Sequence, residues 1–166
     1  MNENDILLLL MFITYLFLII SVYTKYKNNP TISSIICDNQ NKYDIFFYMI
    51  IMTCFTFLYE LNRGETSLIC ILLILVGIFG VIFIFEPDCI HYSFAFLVFS
   101  SILYFMYYYC KNYDNFGLNI LFLFQIEFFM MTLVNFDKNM FFGEMFYILN
   151  FAIFYLILHF FTRHKL

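Results

Sequence analysis

Six long runs of apolar residues, joined by connections too short to fold alone, constrain this chain more than any motif in it. They cover residues 6–24, 45–61, 67–85, 90–110, 116–135 and 140–161, and hold 19, 17, 19, 21, 20 and 22 residues. A helix needs about 20 mostly apolar residues to cross roughly 30 Å of hydrocarbon. The other 48 residues are two five-residue tails, a 20-residue first loop and four connections of four or five residues. The runs are continuous rather than alternating, which excludes a membrane barrel. Helices also satisfy their own backbone groups, which lipid cannot do. The expected fold is therefore all-α: a polytopic membrane bundle of six transmembrane helices with one 20-residue first loop, a single domain over residues 1–166.

Composition agrees. The chain is 64% hydrophobic and 12% charged, against about 25% charged in average soluble domains. Such hydrophobicity excludes disorder. Five scattered cysteines do not form a secreted disulfide framework. A net charge of −4 excludes a basic nucleic-acid binder. The first run lacks the basic start and small-residue cleavage site of a signal peptide, and its apolar run is too long. It is read as a spanning helix. The 26 Phe and 14 Tyr are attributed to AT-rich coding and a lipid-facing surface.

Orientation is weakly encoded. Arg63, Lys111, Arg163 and Lys165 fall on one side, and Lys25, Lys27, Lys42 and Lys138 on the other. The positive-inside rule gives no answer from four against four. The basic C-terminus and the acidic third loop favour both ends being cytoplasmic. The tails and loops on that side then sum to zero and the opposite loops to −1, which leaves −3 inside the spans as Glu60, Glu127 and Glu144.

Ionisable residues within spans are costly and mark sites by default. Glu60 ends the second span, with Arg63 three residues on, and is expected in an interfacial ion pair. Gln125 and Asn150 lie mid-span in two helices joined by a tight turn. They are expected to hydrogen-bond across that hairpin. Glu127 lies about 200° around the helix from Gln125 and cannot face the same neighbour. It is turned to another helix, set in a hydrated cavity, or protonated and neutral.

One polar constellation converges by topology. His91 opens the fourth span, Glu86 and Asp88 flank Pro87 before it, and Glu144 lies one turn into the sixth span. All belong to one face, which the first loop with Thr31 and Ser33 can cover. Ala95, one turn after His91, leaves room beside the imidazole. Cys37 and Cys89 share that face and can bridge if it is oxidising. The alternative for the constellation is a set of interfacial anchors held by water and lipid heads. No zinc helix, nucleophile elbow or potassium filter motif occurs, so neither a metal nor a cofactor is expected.

Three segments resemble a known pattern. Gly77-Ile-Phe-Gly80 leads through Phe85-Glu86-Pro87 to the run from Ile90 to Phe99. Pro30-Thr31-Ile32-Ser33 lies in the first loop and Glu144-Met145 opens the sixth span. Together they resemble the six-span superfamily of damage-regulated autophagy modulators and FGF-receptor-activating proteins. That family has a Pro-x-Ile-Ser segment, a histidine opening its fourth helix, and a Glu-Trp pair where Met145 replaces the tryptophan. The resemblance implies cytoplasmic termini, a lumenal first loop, lumenal Ser33, His91 and Glu144, and an endomembrane or plasma-membrane setting. It implies a non-enzymatic, lipid-associated protein.

The expected function is thus a membrane protein with a polar outer-leaflet site for lipid or a membrane-protein partner, formed by Ser33, Glu86, Asp88, His91 and Glu144. A small transporter or proton-coupled channel using Glu127, Gln125 and Asn150 is the alternative. An intramembrane lipid hydrolase using His91 with a carboxylate is the third reading.

Overall fold

The polar residues between the apolar runs set where helices stop. The computed structural model describes residues 3–29, 31–37, 42–63, 67–84, 88–134 and 140–162. The chain forms α1 (Glu3–Tyr26), α2 (Ile32–Cys37), α3 (Lys42–Arg63), α4 (Leu68–Phe83), α5 (Cys89–Asn112), α6 (Phe116–Val134) and α7 (Met140–Thr162). Among the described residues there is no strand. Six of the helices match the six apolar runs, and α2 is a short extra helix inside the first loop. Four helical stretches are long and apolar enough to cross a membrane: α1, α5, α6 and Met140–His159 of α7. The apolar parts of α3 and α4, Ile45–Leu61 and Leu68–Phe83, are shorter.

Local chemistry fixes several ends. Asp88 caps α5 by accepting from the Ile90 amide at 2.9 Å. Asn115 accepts from the Leu118 amide at 3.2 Å and caps α6. Thr31 and Ser34 cap α2 reciprocally: the Ser34 amide donates to the Thr31 hydroxyl at 2.8 Å, and the Thr31 amide to the Ser34 hydroxyl at 3.4 Å. This is the geometry of a capping box with serine in the acidic position.

Helices adjacent in sequence pack against each other from α3 to α7, α1 packs on α3, and α7 closes the ring onto α1. Their directions alternate. The start of α1 meets the end of α7 through Asp5 and His159. The end of α1 meets the start of α7 through the rings of Tyr23 and Phe142. The start of α3 meets the end of α4 through Phe46 and Phe83. Because α5 also touches α7, α6 is displaced outward. Its apolar stretch is 17% buried against 61% for α7, so of the four long apolar stretches α7 is the most enclosed and α6 the most exposed.

The α6–α7 contact is a stripe at seven-residue spacing: Leu118, Gln125 and Thr132 are the buried residues of α6. The α4–α5 contact rests on small residues. A Cβ on Gly77 would lie 2.5 Å from Val98 Cγ2 and 3.1 Å from the Phe94 carbonyl oxygen, and one on Gly80 would fall within the Phe94 ring. Glycine lets these backbones approach, as small residues do in membrane helix pairs.

Aromatic side chains fill much of the interior. Tyr59, Tyr109, Tyr147, Tyr155, Phe105 and Phe154 head the fully buried side chains. The aromatic surplus is therefore structural in part, and not only lipid-facing surface or coding bias.

Candidate functional site

Five ring helices and α2 surround a cavity of about 100 Å³. A single water needs roughly 10–15 Å³ by the same measure. Tyr15 of α1, Met52 and Thr56 of α3, Ile74 and Ile78 of α4, Val98 and Ile102 of α5, and Ile148 and Phe151 of α7 line it. Helix α6 contributes nothing. The wall is more apolar than its residue types suggest. Thr53 and Thr56 donate their hydroxyls to the carbonyls one turn back, Met49 at 2.6 Å and Met52 at 2.9 Å. The Tyr147 hydroxyl is spent on the Phe99 carbonyl at 2.6 Å. Most of what faces the space is methyl, methylene and ring.

The charged group on the cavity wall is Glu144. It is buried, and its Oε2 accepts from the Ile32 amide at 2.6 Å. A carboxylate at the first amide of α2 is favoured both by the hydrogen bond and by the helix dipole. Ile32 also lines the cavity, so Glu144 pins α2 across it. Replacing Glu144 by Ala leaves a buried amide without its acceptor. We expect a loss of about 1–3 kcal/mol and faster amide exchange in α2, read by hydrogen–deuterium exchange. Glu144→Gln, which keeps an acceptor oxygen, should retain most of the protection.

The other residues expected at this face are anchored separately. His91 is fully buried; its Nδ1 donates to the Ile84 carbonyl at 2.7 Å and ties the α4 end to α5, while Nε2 has no hydrogen-bond partner among the described residues. Asp88 is exposed and spends its carboxylate on its own helix. Ser33 lies in α2 and its side chain is outside the described part of the structure, as is the whole of Glu86. Among the described residues, His91 and Asp88 bond backbone groups, and Glu144 reaches the Ile32 amide. His91 and Glu144 are both buried and held by protein backbone. Among the described residues, His91 has neither a carboxylate nor a hydroxyl bonded to it. Cys89 is an exposed thiol at the first turn of α5; the Cys37 side chain, and with it the expected bridge, lies outside the described residues.

Gln125 and Asn150 meet across the α6–α7 hairpin. Asn150 Nδ2 donates to Gln125 Oε1 and, at 2.8 Å, to the Leu121 carbonyl. Gln125 Nε2 donates to the Tyr147 carbonyl at 3.1 Å. The pair stitches α6 to α7 and satisfies backbone carbonyls besides. Glu127 faces neither another helix of the bundle nor the cavity. It is exposed on the outward face of α6, away from the cavity.

At the opposite end lies a polar cluster that sequence reading missed. Glu60 is fully buried one turn beyond the cavity-lining Thr56. Its carboxylate accepts hydrogen bonds from the hydroxyls of Ser67, Tyr155 and Tyr109, the last at 3.2 Å. Ser67 and Tyr109 are themselves 3.0 Å apart. These hydroxyls come from α5, α7 and the residue preceding α4; the Arg63 side chain, and with it the expected ion pair, lies outside the described residues. Beside this cluster, Tyr59 hydrogen-bonds His159 Nδ1, and His159 Nε2 lies 3.6 Å from Asp5. The available signal was depth: Glu60, Ser67, Tyr109, Tyr155 and His159 all fall near helix ends on one face. Among the described residues no three His, Cys, Asp or Glu side chains are grouped to hold a metal.

Comparison with protein families, curated proteins and solved structures finds no match.

Proposed function

We propose that this chain is a non-enzymatic integral membrane protein whose six long helices all cross the bilayer and whose central cavity holds one apolar chain, such as a lipid tail. The cavity carries this reading: five long helices and α2 line it, the Thr53, Thr56 and Tyr147 hydroxyls are spent on backbone carbonyls, and among its described lining residues the charged one is Glu144. Ligand sites are of this kind, mostly apolar with a few placed polar groups. Glu144 would lie at the head-group end, under α2.

The reading fits the resemblance to the autophagy-modulator and FGF-receptor-activating superfamily. Two of its motif segments, 112 residues apart, meet through Ile32 and Glu144. A third places Gly77 and Gly80 against Phe94 and Val98 on the helix opened by His91. By that resemblance both termini are cytoplasmic, the α2 face is lumenal or extracellular, and the setting is an endomembrane or the plasma membrane. The transporter reading is less well supported, since Glu127 lies off the cavity and on the outer face of the bundle.

Native mass spectrometry of the purified chain tests the proposal. A retained lipid is expected, with occupancy at least tenfold lower in Ile74→Trp, whose ring fills the cavity. Equal retention in both proteins, at equal thermal stability, would refute it.

A further inference from the structure

We propose that the outer face of α6 is a docking surface for a transmembrane helix of another protein, and that Glu127 there pairs with a lysine or arginine at the middle of that helix. The argument begins with where Glu127 sits. It is the twelfth of nineteen residues of α6, about three turns from one end and two from the other. Helix α6 is one of the helices long and apolar enough to span. Ionisable residues in such helices almost always face the bundle interior, because lipid cannot stabilise their charge. Glu127 faces outward, and no described residue bonds to it.

Its surroundings form a surface. The residues one turn away on either side, Leu123, Phe124, Met130 and Met131, are all exposed and apolar. Two methionines beside the carboxylate give an adaptable rim that can repack around a guest. The other side of the same helix is already committed, through Leu118, Gln125 and Thr132, to α7 and its neighbours. The bundle therefore holds α6 with a single mid-depth charge presented outward and no internal counterpart.

Charge complementarity selects the occupant. Every Lys and Arg of this chain falls at a helix end or in a connection: Lys25, Lys27, Lys42, Arg63, Lys111, Lys138, Arg163 and Lys165. The two histidines of the described residues are likewise near helix ends, His91 in α5 and His159 in α7. A second copy cannot bring a cation to the depth of Glu127. A foreign helix with a central Lys or Arg can, and burying the pair between two helices removes both charges from lipid.

The test is energy transfer in phosphatidylcholine vesicles between the labelled full chain and a labelled Leu-rich synthetic transmembrane helix carrying one central Lys. Saturable transfer is expected, at least tenfold weaker for the same helix with a central Leu, and equally weakened by Glu127→Leu. Glu127→Lys should transfer its preference to a helix with a central Asp. Because Glu127 is exposed, the variants should melt as the parent does. Equal transfer to the Lys and Leu helices, or transfer unaffected by Glu127→Leu, would overturn the proposal. So would transfer between two labelled copies of the chain that vanishes in Glu127→Leu, which would assign the face to self-association.

Discussion

Glu60→Leu is expected to destabilise the bundle by about 3–5 kcal/mol, since each orphaned buried hydroxyl costs roughly 1–3 kcal/mol. The substitution removes the common acceptor of Ser67, Tyr109 and Tyr155. Ser67 and Tyr109 can still bond one another at their present 3.0 Å separation, so the loss should fall short of three full penalties. Tyr155 has no such alternative in the cluster. The decisive comparison is the protein in which Glu60→Leu is joined by Ser67→Ala, Tyr109→Phe and Tyr155→Phe. Replacing all partners by apolar groups of similar shape is nearly neutral where replacing one is not. That protein should lie within about 1 kcal/mol of the parent. Denaturation in mixed micelles, followed by circular dichroism, measures both. If the combined variant is as unstable as Glu60→Leu, the penalty comes from lost packing rather than from stranded hydroxyls.

The same cluster shows where sequence reading stops. A charged neighbour three residues away, Arg63, was the visible partner for Glu60. The observed partners are uncharged, and Tyr155 is 95 positions distant. Tyrosines had been discounted as compositional surplus, yet their hydroxyls are what a buried carboxylate needs inside a membrane bundle. By contrast, Gln125 and Asn150 were legible because a short turn fixes the register of the α6–α7 hairpin, so equal depth follows from counting. The six helices were legible for a similar reason: length and hydropathy are properties of one segment at a time.

Properties that depend on which helices are neighbours were not legible. Separation of Glu127 from Gln125 around α6 follows from helical geometry, but its outward direction depends on which side of α6 packs against the bundle. Apolar residues are spread around the whole of α6, so their pattern does not separate the side facing lipid from the side facing protein. Glu144 meets the first loop through the backbone amide of Ile32, and an amide leaves no mark in a sequence. His91 likewise bonds a backbone carbonyl, that of Ile84, rather than a side chain.

The α4–α5 interface yields the other large effect. Gly80→Ala is expected to cost about 1–3 kcal/mol, the usual range for overpacking, because the new methyl group would occupy the Phe94 ring. Gly77→Ala should cost at least as much, but for a different reason. Its Cβ would lie 2.5 Å from Val98 Cγ2, and also 3.1 Å from the Phe94 carbonyl and 3.3 Å from the Val98 amide nitrogen. Side-chain truncation therefore separates the two. Phe94→Ala should recover most of the stability lost in Gly80→Ala, since only the ring is in the way. Val98→Ala should recover only part of the loss in Gly77→Ala, since the backbone contacts survive it. Double-mutant cycles on the melting free energy read the difference as a larger coupling for the Gly80–Phe94 pair. Equal rescue at both sites would mean that the helices separate freely, and that the glycines do not set the distance between α4 and α5.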